Sequence, residues 1–156
     1  MRTIKFKAKA IKDGSWTFGD LFHALNDICI NPEHGFKRQQ RYLTVVAPHT
    51  VCQFTGFQDL AGHDIYEGDI LVSHTFPFYF YSHSNDKLNP NYVGIVSWNE
   101  HLACFELKMR KNYSIQGKDT YGNELIKFNK ISAINYEVIG SIHDLKWQEK
   151  LNLKDE

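Results

Sequence analysis

The stretch Phe54-Thr55-Gly56-Phe57-Gln58-Asp59-Leu60-Ala61-Gly62-His63-Asp64-Ile65-Tyr66-Glu67-Gly68-Asp69-Ile70-Leu71 leaves this chain few ways to fold. Gly56, Gly62 and Gly68 recur too closely for a helix, and glycine takes positive φ without steric cost. Asp59 opens a four-residue turn that closes near Gly62, its carboxylate placed to accept backbone N–H groups two residues on. Ile65 and Tyr66 follow as apolar anchors that tuck the chain under a sheet. Glu67-Gly68-Asp69 then turns it into Ile70-Leu71-Val72, side chains that suit a buried strand. The block reads as a corner of a β protein.

Period-two patterning on both sides agrees. Ile4, Phe6, Ala8 and Ala10 alternate with Lys5, Lys7 and Lys9, a half-buried strand with a lysine-coated outer face. Asp13-Gly14 signals a hairpin, and Trp16-Thr17-Phe18 is the returning strand. Leu21 to Ile30 is ambiguous: Leu21, Leu25 and Ile28 fit helical spacing, yet a strand pairing is equally defensible. Asn31 to Gly35 is a loop by composition. Tyr42 to Ala47 and Val51 to Phe54 read as short strands separated by Pro48. Asp69 to Tyr81 forms one long apolar and aromatic stretch, with Tyr92 to Trp98 as its antiparallel partner. Asn99-Glu100-His101 turns the chain into Ala103 to Leu107, completing a meander of the kind that builds small barrels. Tyr136 to Ile142 supplies a late strand. Asp144 caps a short helix through Leu151, with Leu145 against Gln148 and Lys150 on the wet side.

Composition excludes several function classes. The 156 residues are enough to bury roughly 70% of the unfolded surface. The 18 Lys and Arg balance 18 Asp and Glu, so no global field draws in nucleic acid or an anionic membrane. The eight His residues make the net charge responsive between about pH 5 and 8. No apolar run is long enough to span a bilayer, and the N-terminus enters a strand pattern instead of a signal peptide. Cys29, Cys52 and Cys104 are odd in number and far apart, which argues for reduced thiols and a cytoplasmic setting.

Four segments occur in a recognisable order: Met1-Arg2-Thr3-Ile4-Lys5-Phe6, Thr55-Gly56 to Asp69-Ile70, Gly94-Ile95-Val96-Ser97-Trp98, and Glu137-Val138-Ile139-Gly140-Ser141-Ile142. Together they resemble the signature of the YopX family, small proteins encoded by bacteriophages and prophages. The resemblance spans nearly the whole chain. It implies a mainly β fold, with an SH3-like barrel roll over roughly the second half and an N-terminal β-rich section that completes it. The organisation is a single domain over residues 1–156, with a subdivision at 1–50 and 51–156 if there are two units. It also implies an origin in mobile DNA, hence the cytoplasm of a bacterial host. No established activity and no catalytic residues come with it. Gly56, Asp59, Gly62, Ile65, Tyr66, Glu67, Gly68, Asp69 and Gly140 are the structural residues of the signature. The chain departs from the family pattern in an aromatic insertion around Phe76 to Tyr81, and in Phe57 and Leu60-Ala61, where Leu and Lys-Asn are more usual.

The chemical candidates are few. Phe76, Phe78, Tyr79, Phe80 and Tyr81 cluster around Pro77, and a proline demotes a strand to an edge or projecting arm. Such an arm suits contact with a second copy or a protein partner. A two-faced buried strand is the plainer reading, and base stacking is disfavoured because no Lys or Arg lies between Asp69 and Asp86. His63-Asp64, Glu67, Asp69 and His143-Asp144 are legitimate metal ligands, but Asp beside Gly is first a turn residue. No His-x-x-x-His, Cys-x-x-Cys, Gly-x-Ser-x-Gly or phosphate-binding glycine loop occurs, so no metal or cofactor is expected. Glu67 and Asp69 alternate along the chain and serve solubility as readily as acid–base chemistry. Cys52 and Cys104 read as small buried hydrophobes. Lys5, Lys7 and Lys9, joined by Lys37, Arg38 and Arg41, make a local basic surface. The usual reading is lysines guarding an edge strand against aggregation; the sharper one is nucleic-acid contact, which requires the clusters to converge around Trp16 or Tyr42. The expectation is therefore a non-enzymatic module that binds itself and a phage or host protein. Nucleic-acid binding through the basic N-terminal surface is the alternative, and a hydrolase at Glu67, Asp69 and His143 a third class.

Overall fold

The computed structural model describes residues 3–32, 43–73, 92–109, 125–127 and 136–151. These form a mainly β protein of two compact units, residues 1–56 and 57–156. The seam lies six residues past the division at residue 50 and directly after Gly56.

The first unit is an antiparallel sheet of β1 (Phe6–Lys9), β2 (Trp16–Ala24), β3 (Asp27–Pro32), β4 (Thr44–Val45) and β5 (Cys52–Gln58), in the order β4-β3-β2-β1-β5. The last two residues of β5 belong to the second unit. The Asp13-Gly14 hairpin forms as expected: Gly14 takes φ +71°, and Asp13 Oδ1 accepts the Ser15 N–H at 2.9 Å. The ambiguous segment Leu21 to Ile30 is a second hairpin, with Leu25 at its tip in the left-handed region at φ +53°. Leu25 is fully exposed, so its helical spacing was coincidental. Asn31 and Pro32, read as loop, extend β3 opposite Asp20 and Gly19. Pro48 breaks the strand run with a single 3₁₀ turn, Pro48–Thr50. Thr50 repairs the break: its Oγ1 accepts the Lys9 N–H at 2.9 Å and donates to the Ala47 carbonyl at 2.7 Å.

Ala8, Ile30 and Val46 form the core of this unit, with Phe6, Leu21, Ile28 and Val51 packed around them. The alternation in β1 holds for Ala8 and Ala10, but the lysines opposite do not coat a wet outer face. β1 lies between β2 and β5 and is no edge strand, so protection against edge pairing is not their role. Lys7 is only 7% exposed. Its stem lies on a sheet face already roofed by aromatic rings, where a long aliphatic side chain finds cover for its methylenes.

The second unit holds β6 (Asp64–Tyr66) and a five-stranded antiparallel sheet of β7 (Asp69–Ser73), β8 (Tyr92–Asn99), β9 (Cys104–Met109), β10 (Leu125–Lys127) and β11 (Tyr136–Ser141). Its order is β10-β9-β8-β7-β11: a meander whose late strand returns beside the first, the sequence of pairings an SH3-like roll requires. No pairing between β10 and β11 closes it into a barrel among the described residues. Adjacent residues of β7 enter different clusters, so the sheet is packed on both faces. Leu71 joins Ile65, Val96, Phe105, Leu107 and Tyr136 on one side. Ile70 joins Val93, Trp147 and Leu151 on the other.

The helix expected after Asp144 is α1 (Leu145–Lys150). Asp144 caps it through its backbone carbonyl, which accepts the Trp147 and Gln148 N–H groups, while its carboxylate accepts the Ser141 N–H at 3.1 Å. Leu145 does not pack as expected. It is 71% exposed, and the buried stripe is Trp147 and Leu151, four apart on one helix face.

Candidate functional site

Two places in the molecule bring singled-out residues together. The first is the sheet face of the first unit opposite its core. Residues paired across antiparallel strands share a face, and the register generates rows. Lys9 lies opposite Trp16, Lys7 lies between Phe18 and Cys52, and Phe22, Cys29 and Val45 form a row across β2, β3 and β4. The Lys7 and Lys9 ammonium groups stand 4.7 and 5.2 Å from the Trp16 ring centre, and that of Lys5 stands 4.8 Å from Phe54. At these separations the ring quadrupole attracts the cation, by about 0.5–1 kcal/mol at an exposed site and more where water is excluded. On the same face Phe18 is 45%, Phe22 43% and Val45 38% exposed. Phe18, Phe22 and Val45 thus present apolar surface to solvent where the core of this unit does not use it.

Charge divides between the units. Residues 1–56 carry eight Lys and Arg against four Asp and Glu, and residues 57–156 carry ten against fourteen. The zero net charge of the chain conceals a basic first unit and an acidic second one.

The second place is the signature block. Gly62 N–H donates to the Asp59 carbonyl at 3.0 Å, the turn the sequence calls for. The Asp59 carboxylate accepts the N–H of Ala61 at 2.9 Å and of His63 at 2.8 Å. It also accepts the Val138 N–H at 3.1 Å, from a strand 79 positions away, and contacts the His63 ring at 3.3 Å. Val138 sits where the β11 register slips before Gly140, and the irregularity frees its N–H for this bond. Burial works against the Asp59 charge, but the N–H groups of Val138, His63 and Ala61 and the His63 ring outweigh it. The carboxyl is held below the ordinary Asp range. Gly68 turns the chain at φ +74°, where Asp69 Oδ2 accepts the Tyr66 N–H at 2.8 Å. Gly140 is glycine for a different reason: a Cβ there would overlap the Trp147 indole, whose Nε1–H donates to the Ile139 carbonyl at 3.0 Å. Ile65 and Tyr66 are buried, as anchors should be. Glu67 is half-buried and Gly56 exposed.

The remaining candidates are plainly placed. Phe76, Phe78, Tyr79, Phe80 and Tyr81, and likewise Lys37, Arg38, Arg41 and Tyr42, lie outside the described residues. Lys5, Lys7 and Lys9 do converge on an aromatic, Trp16. Asp69 is fully buried in its turn and spends one carboxylate oxygen on the backbone. Among the described residues no three His, Cys, Asp or Glu side chains are grouped as a metal site needs. Cys29 and Cys52 are buried and Cys104 half-buried, all as free thiols. No helix among the described residues is long and apolar enough to cross a membrane. Sequence reasoning missed Phe18 and Phe22 as surface residues; their period of four in a strand, both even-numbered with Trp16, was the available signal. It also missed Glu106, a buried carboxylate that accepts the Asn99 Nδ2–H at 2.6 Å.

The model of the YopX protein family matches residues 5–145. The chain belongs to the YopX family. No curated protein matches it.

Proposed function

We propose that the chain is a non-enzymatic phage or prophage accessory protein that works by binding, engaging itself and a protein partner. The observation that carries the reading is the pair Phe18 and Phe22, both on one sheet face and both more than two-fifths exposed. An apolar patch bordered by charge is the usual signature of a protein-contact surface. Self-association through Phe76 to Tyr81 belongs to the same reading; replacing Phe78 and Phe80 by Ser changes the sedimenting mass if the arm joins copies, and leaves it unaltered if not.

A second reading, nucleic-acid binding, draws support from Trp16 lying beneath both Lys7 and Lys9. It fits less well. Phosphate contacts need ammonium groups that project into solvent, whereas Lys7 is buried, and a stacking base needs an open ring face.

One experiment separates the readings. The tagged chain and its Phe18→Ser/Phe22→Ser variant are used to capture material from bacterial lysate, with and without nuclease. A protein recovered by the parent under both conditions and lost from the variant supports the binding reading. Recovery that is indifferent to the variant overturns the face as contact surface. Material that vanishes with nuclease replaces the first reading by the second.

A further inference from the structure

The β2–β3 hairpin of the first unit carries its apolar surface and its charge in a pattern that stability does not account for. Its tip residue, Leu25, is held in the left-handed region at φ +53° with its side chain fully exposed. Glycine or asparagine takes that conformation with less strain, and burial of the side chain would offset the strain; an exposed leucine has neither advantage. Phe22 on β2 and, beyond Cys29 in the same row, Val45 on β4 present further apolar surface. Charge is segregated as well: residues 13–36 hold all four Asp and Glu of the unit and none of its eight Lys and Arg. Two of those four, Asp20 and Asp27, are exposed and bracket Phe22. Asp20 lies two positions before it on β2, and Asp27 lies opposite Ala24, two positions beyond it. All three therefore share one face. Neither carboxylate forms a hydrogen bond or ion pair among the described residues. The Lys5 ammonium stands over the Phe54 ring of β5, across β1 from β2. From this arrangement we propose that the hairpin docks a cationic, apolar segment of a partner protein, with an arginine set over the Phe22 ring between the two carboxylates and an aliphatic side chain against Leu25. The proposal rests on the binding reading above and specifies its partner.

Arginine suits this place by shape and by charge. Its planar guanidinium stacks on an aromatic ring and keeps N–H donors at its rim, so one group meets the phenyl face and a carboxylate together. Alternate residues of a strand lie roughly 6.6–6.8 Å apart and diagonal cross-strand neighbours about 7–8 Å, separations that a guanidinium and two flexible carboxylates bridge between them. Asp20 and Asp27 attract a cationic segment and repel an acidic one. A second copy docked through the same hairpin would set these carboxylates against their own counterparts, so the occupant is a different chain. Nucleic acid is disfavoured on the same ground, because its phosphates would meet Asp20 and Asp27 with no Lys or Arg among residues 13–36 to neutralise them. The Leu25 side chain, already free of the core, is available to an aliphatic neighbour of the arginine.

The test uses the full chain and three labelled probes: a peptide alternating Arg with Leu, the same peptide with Glu for Arg, and a mixed-sequence single-stranded oligonucleotide. Fluorescence anisotropy is followed at low and high salt on the parent, on Asp20→Asn/Asp27→Asn and on Phe22→Ser/Leu25→Ser. Glu100→Gln/Glu149→Gln, which removes two exposed carboxylates of the second unit, is the control for unspecific attraction. Every substituted side chain is exposed, and circular dichroism verifies that each variant keeps its β spectrum. The expected result is binding of the Arg peptide that weakens about tenfold in each hairpin variant, weakens with salt and is unchanged in the control. Equal binding of the Glu peptide, lost only in Phe22→Ser/Leu25→Ser, overturns the cationic specificity and leaves the face as a binding surface. Binding of the Arg peptide that both hairpin variants retain, or that the control loses equally, overturns the hairpin as the site. Tighter binding of the oligonucleotide overturns the proposal in favour of nucleic acid. Failure of all three probes to bind overturns it outright, while the capture experiment above still judges the binding reading on its own.

Discussion

The described residues of the two units use most of their aromatic rings differently. The second packs Phe105 and Tyr136 on one side of its sheet and Trp147 on the other, so that β7 is covered on both faces, and leaves Trp98 partly exposed edge-on against Phe105. The first builds its core from Ala8, Ile30 and Val46 and leaves Trp16, Phe18 and Phe22 on the opposite face with three lysines. Buried charge follows the same division. Asp59, Asp69 and Glu106, all in the second unit, are buried and hydrogen-bonded, and serve to hold turns and strands in place. The one buried charge described in the first unit is Lys7, and it lies on an aromatic ring. The contrast is the reason the proposed contact surface is placed on the first unit, with the second as its scaffold.

The sharpest way to break that contrast is to remove one indole from each unit. Trp147→Ala takes away a buried ring, its hydrogen bond to Ile139 and the packing of Gly140, and is expected to cost about 4 kcal/mol. Trp16→Ala, half-buried between two lysines, is expected to cost about 1 kcal/mol. Urea denaturation followed by circular dichroism compares them, and equal losses would contradict the division.

Asp59→Asn sharpens the scaffold side. It removes the charge that gathers three backbone N–H groups and is expected to cost about 2 kcal/mol near neutral pH. The sign of its pH dependence follows from the lowered carboxyl. A depressed folded-state pKa contributes stability that is present above the unfolded value, about 3.9, and is lost as pH falls through the folded value. The parent therefore loses stability below about pH 4 more steeply than Asp59→Asn. Parallel acid limbs for the two proteins would show that the carboxylate is not the clamp.

Tyr136 offers an effect of opposite sign. Its hydroxyl is buried without a hydrogen-bond partner among the described residues, and burial pushes the phenol above its ordinary range. Tyr136→Phe keeps the ring and removes the unsatisfied group, so the denaturation midpoint is expected to rise, by up to about 1 kcal/mol in stability. A fall would mean that the hydroxyl is bonded in solution.

The smallest effect is expected at the proposed contact face. Phe18→Ser and Phe22→Ser should each shift stability by less than about 0.5 kcal/mol. A loss comparable to that of Trp147→Ala would place these rings in a core.

Much of this fold was legible in the residues. Asp59 announced its turn, Ile65 and Tyr66 their burial and Asp144 its helix, because each depends on groups a few positions away. Leu25 and Leu145 misled for the same reason inverted: Leu25 sits at a helical interval from Leu21 and Ile28 but marks a hairpin tip, and Leu145, placed one turn from Gln148, lies on the solvent side of α1. The lysines of β1 misled because a one-in-two pattern tells which residues share a face but not what lies across from it. Whether a strand is central or at an edge depends on pairings with residues 19 and 52, which no local pattern reports.

The sequence by itself settled what short-range chemistry decides: glycine turns at positive φ, carboxylates within reach of neighbouring N–H groups, strands with alternating faces, and membership of a family carried by those same corners. Tertiary structure alone decided the rest. It brought the Val138 N–H to Asp59, set the Trp147 indole where only a glycine fits at position 140, and laid Lys7 and Lys9 over Trp16. The reason is physical: the energy of a turn resides in a few adjacent residues, whereas the register and order of strands are chosen by the sum of packing across the whole sheet.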